Sequence, residues 1–149
     1  MSAARVESRI GTGRGLEVID ITDGVADAVQ ATGVSDGICW VYSPYTTCVV
    51  RLSESEAGLL DDFVALLRRL VHNHNTHSGD ESFERKGGNT ASGDVRCLSM
   101  LLGGAGEAIP IAGGALRLGT WQRVLFVKLD PEGEARARDR WWHVQVVGC

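Results

Sequence analysis

Apolar and polar residues run along this chain in two rhythms, one with a period of two and one near 3.6. Strand-like alternation covers Arg5 to Ile10 and Gly15 to Ile19, with Gly11-Thr12-Gly13 as a turn between them. It returns at Gly37 to Tyr42, ended by Pro44, and in the β-branched run Thr46 to Leu52. Three more strands are predicted at Ala108 to Ile111, Ala115 to Leu118 and Gln122 to Leu129, and Asp130-Pro131-Glu132-Gly133 then reads as a turn. A long last strand, Ala135 to Val147, sets Trp142, Val144 and Val146 on one face and Trp141, His143, Gln145 and Val147 on the other.

The helical rhythm occurs three times. Asp20 or Thr22 can cap a helix to about Ala31, with Ile21, Val25, Ala28 and Val29 as its stripe and Gly33 as its stop. Ser53 and Glu56 fit a capping box ahead of a helix whose stripe holds Leu59, Leu60, Phe63, Val64, Leu67, Leu70 and Val71. Val95 to Leu102 is the third, ended by Gly103-Gly104. Residues 72–94 are polar and read as a long loop. The order ββαββα, a helical segment and four strands predicts one α+β domain over residues 1–149. Its two packed sheets are mostly antiparallel, since most strands are joined by short turns.

Composition adds exclusions. The 149 residues carry a formal charge of −4, so nothing draws the whole protein to nucleic acid or to an anionic membrane. No apolar run approaches the roughly 20 residues of a membrane helix. Met1 to Ile10 has no signal-peptide core, and the expected location is the cytoplasm. Cys39, Cys48, Cys97 and Cys149 form no C-x-x-C pair, and the first three are expected to be buried free thiols.

Ser43-Pro44-Tyr45-Thr46-Thr47 and Leu116-Arg117-Leu118-Gly119-Thr120-Trp121-Gln122 resemble motifs of the YjbQ family, often labelled secondary thiamine-phosphate synthase. Pro44 to Asp62, Pro110 to Gln122, Ile21-Thr22-Asp23 and His143 to Gly148 extend the resemblance through nearly the whole chain. It implies two packed antiparallel sheets flanked by helices, a homotrimer with sheets around the threefold axis, and a cleft built on histidines. At two of those histidine positions this chain has Tyr45 and Arg96, and a more variable one falls on Asp94. A third aligns best with His77, in the run His72-Asn73-His74-Asn75-Thr76-His77.

Those replacements change the chemistry. Arginine has no lone pair for a metal, and tyrosine ligates only as a phenolate whose ordinary pKa is about 10. No cofactor is therefore assigned, and a divalent metal in a family-type site is disfavoured. A guanidinium fork suits phosphate or carboxylate instead. Tyr45, Glu54 and Arg96 become the candidate catalytic groups, and Thr46, Thr47, Arg96 and Gln122 the candidate contacts of a small anionic ligand. The plainer reading pairs Arg96 with Glu54 or Asp94 as a salt bridge. His72, His74 and His77 are a weaker metal candidate, with Asp80 or Glu81 behind them. Ser53 reads as a cap, Gly103-Gly104-Ala105-Gly106 as a turn, His143 as structural and Trp121 as packed on the sheet. Arg136, Arg138 and Arg140 alternate on the final strand, where they could line a trimer seam or a basic stripe, though three such arginines usually mean a solvated face. Two functions follow from the resemblance: a protein that handles a phosphorylated small molecule, with weak thiamine-phosphate-synthase-type activity, or a trimeric binding or scaffold protein that has lost the catalyst.

Overall fold

The computed structural model describes the backbone of residues 2–13, 15–76, 90–130 and 139–148, and for residues 2, 71–76 and 90–94 the backbone alone. Its elements run β1 (Ser2–Gly11), β2 (Glu17–Asp20), α1 (Thr22–Thr32), β3 (Gly37–Tyr42), β4 (Cys48–Ser53), α2 (Ala57–Thr76), α3 (Thr90–Leu102), β5 (Gly106–Ala112), β6 (Ala115–Leu116), β7 (Arg123–Lys128) and β8 (Asp139–Gly148). They form a five-stranded sheet, β1-β8-β3-β5-β6, and a three-stranded sheet, β2-β7-β4. Every pairing is antiparallel, so the architecture is the expected α+β pair of sheets with helices.

Alternation decides how the layers meet. Trp142, Val144 and Val146 of β8 and Cys39 and Val41 of β3 point inward and are buried. They meet Val50, Val124 and Phe126 from the smaller sheet and Val25 and Val29 from α1 in one core. Val49 and Val127 look the other way, into a second core with Leu67 of α2 and Val95 and Leu98 of α3. The layers are therefore large sheet, small sheet and helix pair, with α1 set against the first core. Gly37 lets β3 lie close to β8, because a Cβ there would collide with the Val147 carbonyl.

Several expectations are corrected. Ser53 does not cap α2, because its backbone is still paired with Arg123 at the end of β4. Glu56 does so instead: its carboxylate accepts the N–H groups of Gly58 and Leu59 at 2.9 and 2.8 Å. Those bonds hold the Glu56 carboxyl below its ordinary range. The loop predicted from residue 72 is shortened at both ends, since α2 continues to Thr76 and α3 starts at Thr90. The His-Asn stretch has only weakly unfavourable helix propensity and no Gly or Pro to stop the turn. Cys97 is exposed, while Cys39 and Cys48 are buried free thiols. Trp121 does not pack on a sheet; it is 72% exposed in the turn before β7.

Candidate functional site

Strand β4 is flanked at its two ends by different chemistry. At the Cys48 end, β4 pairs with Lys128 of β7, and the chain enters from the turn holding Tyr45, Thr46 and Thr47. Tyr45 packs its ring on the main core, and its hydroxyl accepts the backbone N–H of Trp141 at 3.0 Å. The Arg140 guanidinium lies 5.0 Å from the centre of that ring, a cation–π contact. Arg140 is only 7% exposed, so its strand position is not the solvated one expected from the alternating arginines; Arg136 and Arg138 lie outside the described residues. The reason is a partner. Arg140 Nη2 is bound to Asp130 Oδ2, and Lys128 Nζ reaches the same oxygen at 3.7 Å. Lys128 also donates to the Gly13 carbonyl at 2.7 Å.

Lys128, Asp130 and Arg140 are all buried. Two cations thus face one carboxylate, an excess of one positive charge among the described residues. Arg140 Nε is buried and has no hydrogen-bond partner among the described residues. Burial opposes the charge on Arg140, but the Asp130 carboxylate outweighs it and keeps the guanidinium protonated. Next to them, burial, reinforced by Asp130 and offset in part by Arg140, pushes the Cys48 thiol up to about 11. It is neutral at physiological pH and no nucleophile.

The Ser53 end is richer in carboxylates. Arg51 Nη1 binds Glu107 Oε1 at 2.6 Å, and Arg51 Nη2 donates to the carbonyls of Leu102 and Gly103 at the end of α3. Gly103 and Gly104 have φ of +68° and +63° and turn the chain tightly around that guanidinium. Arg123, opposite Ser53 on β7, binds Asp20 at 2.7 Å and Asp23 at 3.2 Å. Burial disfavours the Asp20 charge, but bonds from Arg123 and Thr22 prevail and hold its carboxyl below the usual range. An apolar cavity of about 230 Å³ opens beside Arg51, between the small sheet, the start of α2 and the end of α3.

The sequence-predicted residues are distributed unevenly over these two ends. Tyr45 and Thr47 are half-buried at the Cys48 end, and Thr46 is exposed between them. The Thr47 carbonyl accepts the N–H of Leu129 at 2.8 Å, which ties the turn to β7. Glu54 is exposed on the link from β4 to α2, and Arg96 is exposed on α3, next to buried Val95. Gln122 is engaged with its own turn: its Oε1 accepts the N–H of Gly119 at 2.8 Å. His143 is largely buried in β8, with Nδ1 3.3 Å from Glu7. His72 and His74 fall on the helical backbone of α2, two apart, a spacing that does not share a helix face. His77, Asp80 and Glu81 lie outside the described residues.

The grouping of Lys128, Asp130 and Arg140, and the pairing of Arg51, escaped the sequence reading. One signal was there: Lys128 interrupts the apolar run Val124 to Leu129, and a lysine inside a buried strand must find a partner. The Tyr45 phenol oxygen accepts an N–H and its ring lies under a guanidinium.

Comparison with known proteins agrees with this architecture. Residues 6–149 match the family described as UPF0047 protein YjbQ-like. A UPF0047 protein of Archaeoglobus fulgidus is 34% identical over 125 residues, 84% of this chain and 90% of that one. Another, from Methanothermobacter thermautotrophicus, is 32% identical over 89% of this chain and 87% of its own. A YbjQ-like protein of unknown function from Sulfolobus solfataricus superposes with a TM-score of 0.80 at 25% identity, covering 99% of each chain. A YjbQ/UPF0047 protein of Clostridium acetobutylicum gives 0.76 at 29% identity, over 95% of this chain and 99% of that one. The chain belongs to the YjbQ/UPF0047 family.

Proposed function

We propose that this protein binds a phosphorylated small molecule at the Cys48 end of β4, with Arg140 as the principal anion contact. The observation that carries this reading is the buried Nε–H of Arg140 without an acceptor, in a group where two cations share one carboxylate. A phosphoryl oxygen is the acceptor that this edge lacks, and its charge offsets the local excess. Thr46 and Thr47 supply hydroxyls on the adjoining turn. The transferase activity attached to the family label fits the same place: a pyrimidine pyrophosphate would be joined to a thiazole phosphate, forming a C–N bond as pyrophosphate leaves. Arg140 and Lys128 would stabilise the charge on the leaving group. Titration calorimetry with inorganic pyrophosphate is the test. Wild type should bind, and Arg140→Lys, which keeps a charge but loses the Nε edge, should bind at least tenfold more weakly. Equal affinity in the two proteins contradicts the proposal, and a normal rate of thiamine phosphate formation in Arg140→Lys contradicts the transferase step.

A second reading, assembly into a homotrimer, is favoured by the outer face of the large sheet. Ile38, Trp40 and Trp141 are 54%, 52% and 43% exposed there. Monomers seldom leave such a contiguous apolar face in water. Light scattering on a sizing column should give three chains per particle, and Trp40→Arg should lower that number; a wild-type monomer at micromolar concentration rejects the assembly.

A further inference from the structure

We propose that the cavity at the Ser53 end of β4 is a second ligand site, for an uncharged molecule built on an apolar ring system of one or two rings. Its floor is Leu125 and Val127 of β7, beside β4 at Leu52, whose side chain packs on the main core, and its walls are Leu60 and Phe63 of α2 and Leu102 of α3. The cavity exists because α2 presses on the sheet only further along its length. Leu67 is fully buried, whereas Leu59 is 41% exposed and Leu60 and Phe63 are half-buried. At α3 the two positive-φ glycines lead the chain away after Leu102. The first turns of α2 and the end of α3 therefore leave a wedge over the sheet that no described side chain fills.

Size and charge decide what fits. A cavity of roughly 150 Å³ lined by Leu, Ile and Phe stays dry and accepts benzene. At about 230 Å³ this one accommodates a ring system somewhat larger than that, with Phe63 as an aromatic wall. Its lining atoms lack contacts on one side, and an apolar ligand restores them. Arg51 gives the rim no net attraction for anions, because Glu107 and two carbonyls already take its donors. The exposed Ser53 at the mouth can take one hydroxyl or N–H of the ligand. The six residues of β4 span about 17 Å, so this site lies apart from the anion site and does not depend on it.

The probes are 2-naphthol and its charged counterpart 2-naphthoate, followed through the methyl resonances of the intact protein. Saturable shifts are expected for Leu60, Leu102 and Leu125 with 2-naphthol, and binding at least fivefold weaker with 2-naphthoate. Leu60→Trp, which fills the space, should reduce 2-naphthol affinity at least tenfold. Leu102→Phe is the second filling variant should the first fail to fold. The proposal is overturned if no saturable shift appears at those methyls, if the carboxylate binds as well as the naphthol, or if a folded filling variant binds with wild-type affinity.

Discussion

The two ends of strand β4 place arginines in opposite electrostatic settings. At the Ser53 end, Arg51 and Arg123 meet the carboxylates of Glu107, Asp20 and Asp23, and an apolar cavity lies alongside. At the Cys48 end, Arg140 and Lys128 divide a single carboxylate, Asp130, and all three are buried. One end has each arginine bound to carboxylate and retains empty space. The other buries its charged groups and retains positive charge. A strand of six residues can thus separate a place suited to neutral ligands from one suited to anions, because each end is completed by different neighbours.

The largest expected effect breaks the Cys48 end. Asp130→Ala leaves two buried cations facing each other, and denaturant unfolding should show a loss of about 3–5 kcal/mol. Arg51→Met at the opposite end removes a partly exposed pair and two bonds to carbonyls, so its loss should be smaller, about 1–2 kcal/mol. Equal losses would mean that the two ends are not electrostatically distinct. Asp20→Asn should cost roughly 1 kcal/mol at neutral pH. The sign of its pH dependence is fixed: the folded-state pKa of Asp20 is depressed, so its stabilisation is present above the unfolded value of about 4 and is lost as pH falls through the folded value. The gap between wild type and Asp20→Asn should therefore close in acid; a gap that widens there contradicts the assignment. The smallest effect is kinetic. With its thiol pushed up to about 11, Cys48 should alkylate far more slowly at pH 8 than the exposed Cys97. Comparable rates by mass spectrometry would mean that the Cys48 end is open to solvent.

The sequence pattern carried the elements and their faces well, and the partners of its charges poorly. Strand β3 has the bounds predicted for it, and β8 buries Trp142, Val144 and Val146 while exposing Trp141 and Val147. These are local consequences of alternation and needed no knowledge of neighbours. Arg140, by contrast, looked like one more arginine in a solvated row, because nothing local says that Asp130, Lys128 and the ring of Tyr45 surround it. Arg51 finds Glu107 across 56 positions of sequence, and that pairing exists only because β4 and β5 come together in the folded chain. Glu56 could be foreseen as part of a cap, but its role alone, without Ser53, depends on how far the ladder to β7 extends.

Nuclear magnetic resonance of the arginine side chains tests the uncommitted guanidinium edge most directly. On titration with inorganic pyrophosphate, the Nε–H resonance of Arg140 should move and saturate, while those of Arg51 and Arg123, already bound to carboxylates, stay in place. An Arg140 resonance that does not respond at any pyrophosphate concentration, or that moves no more than the other two, contradicts the account.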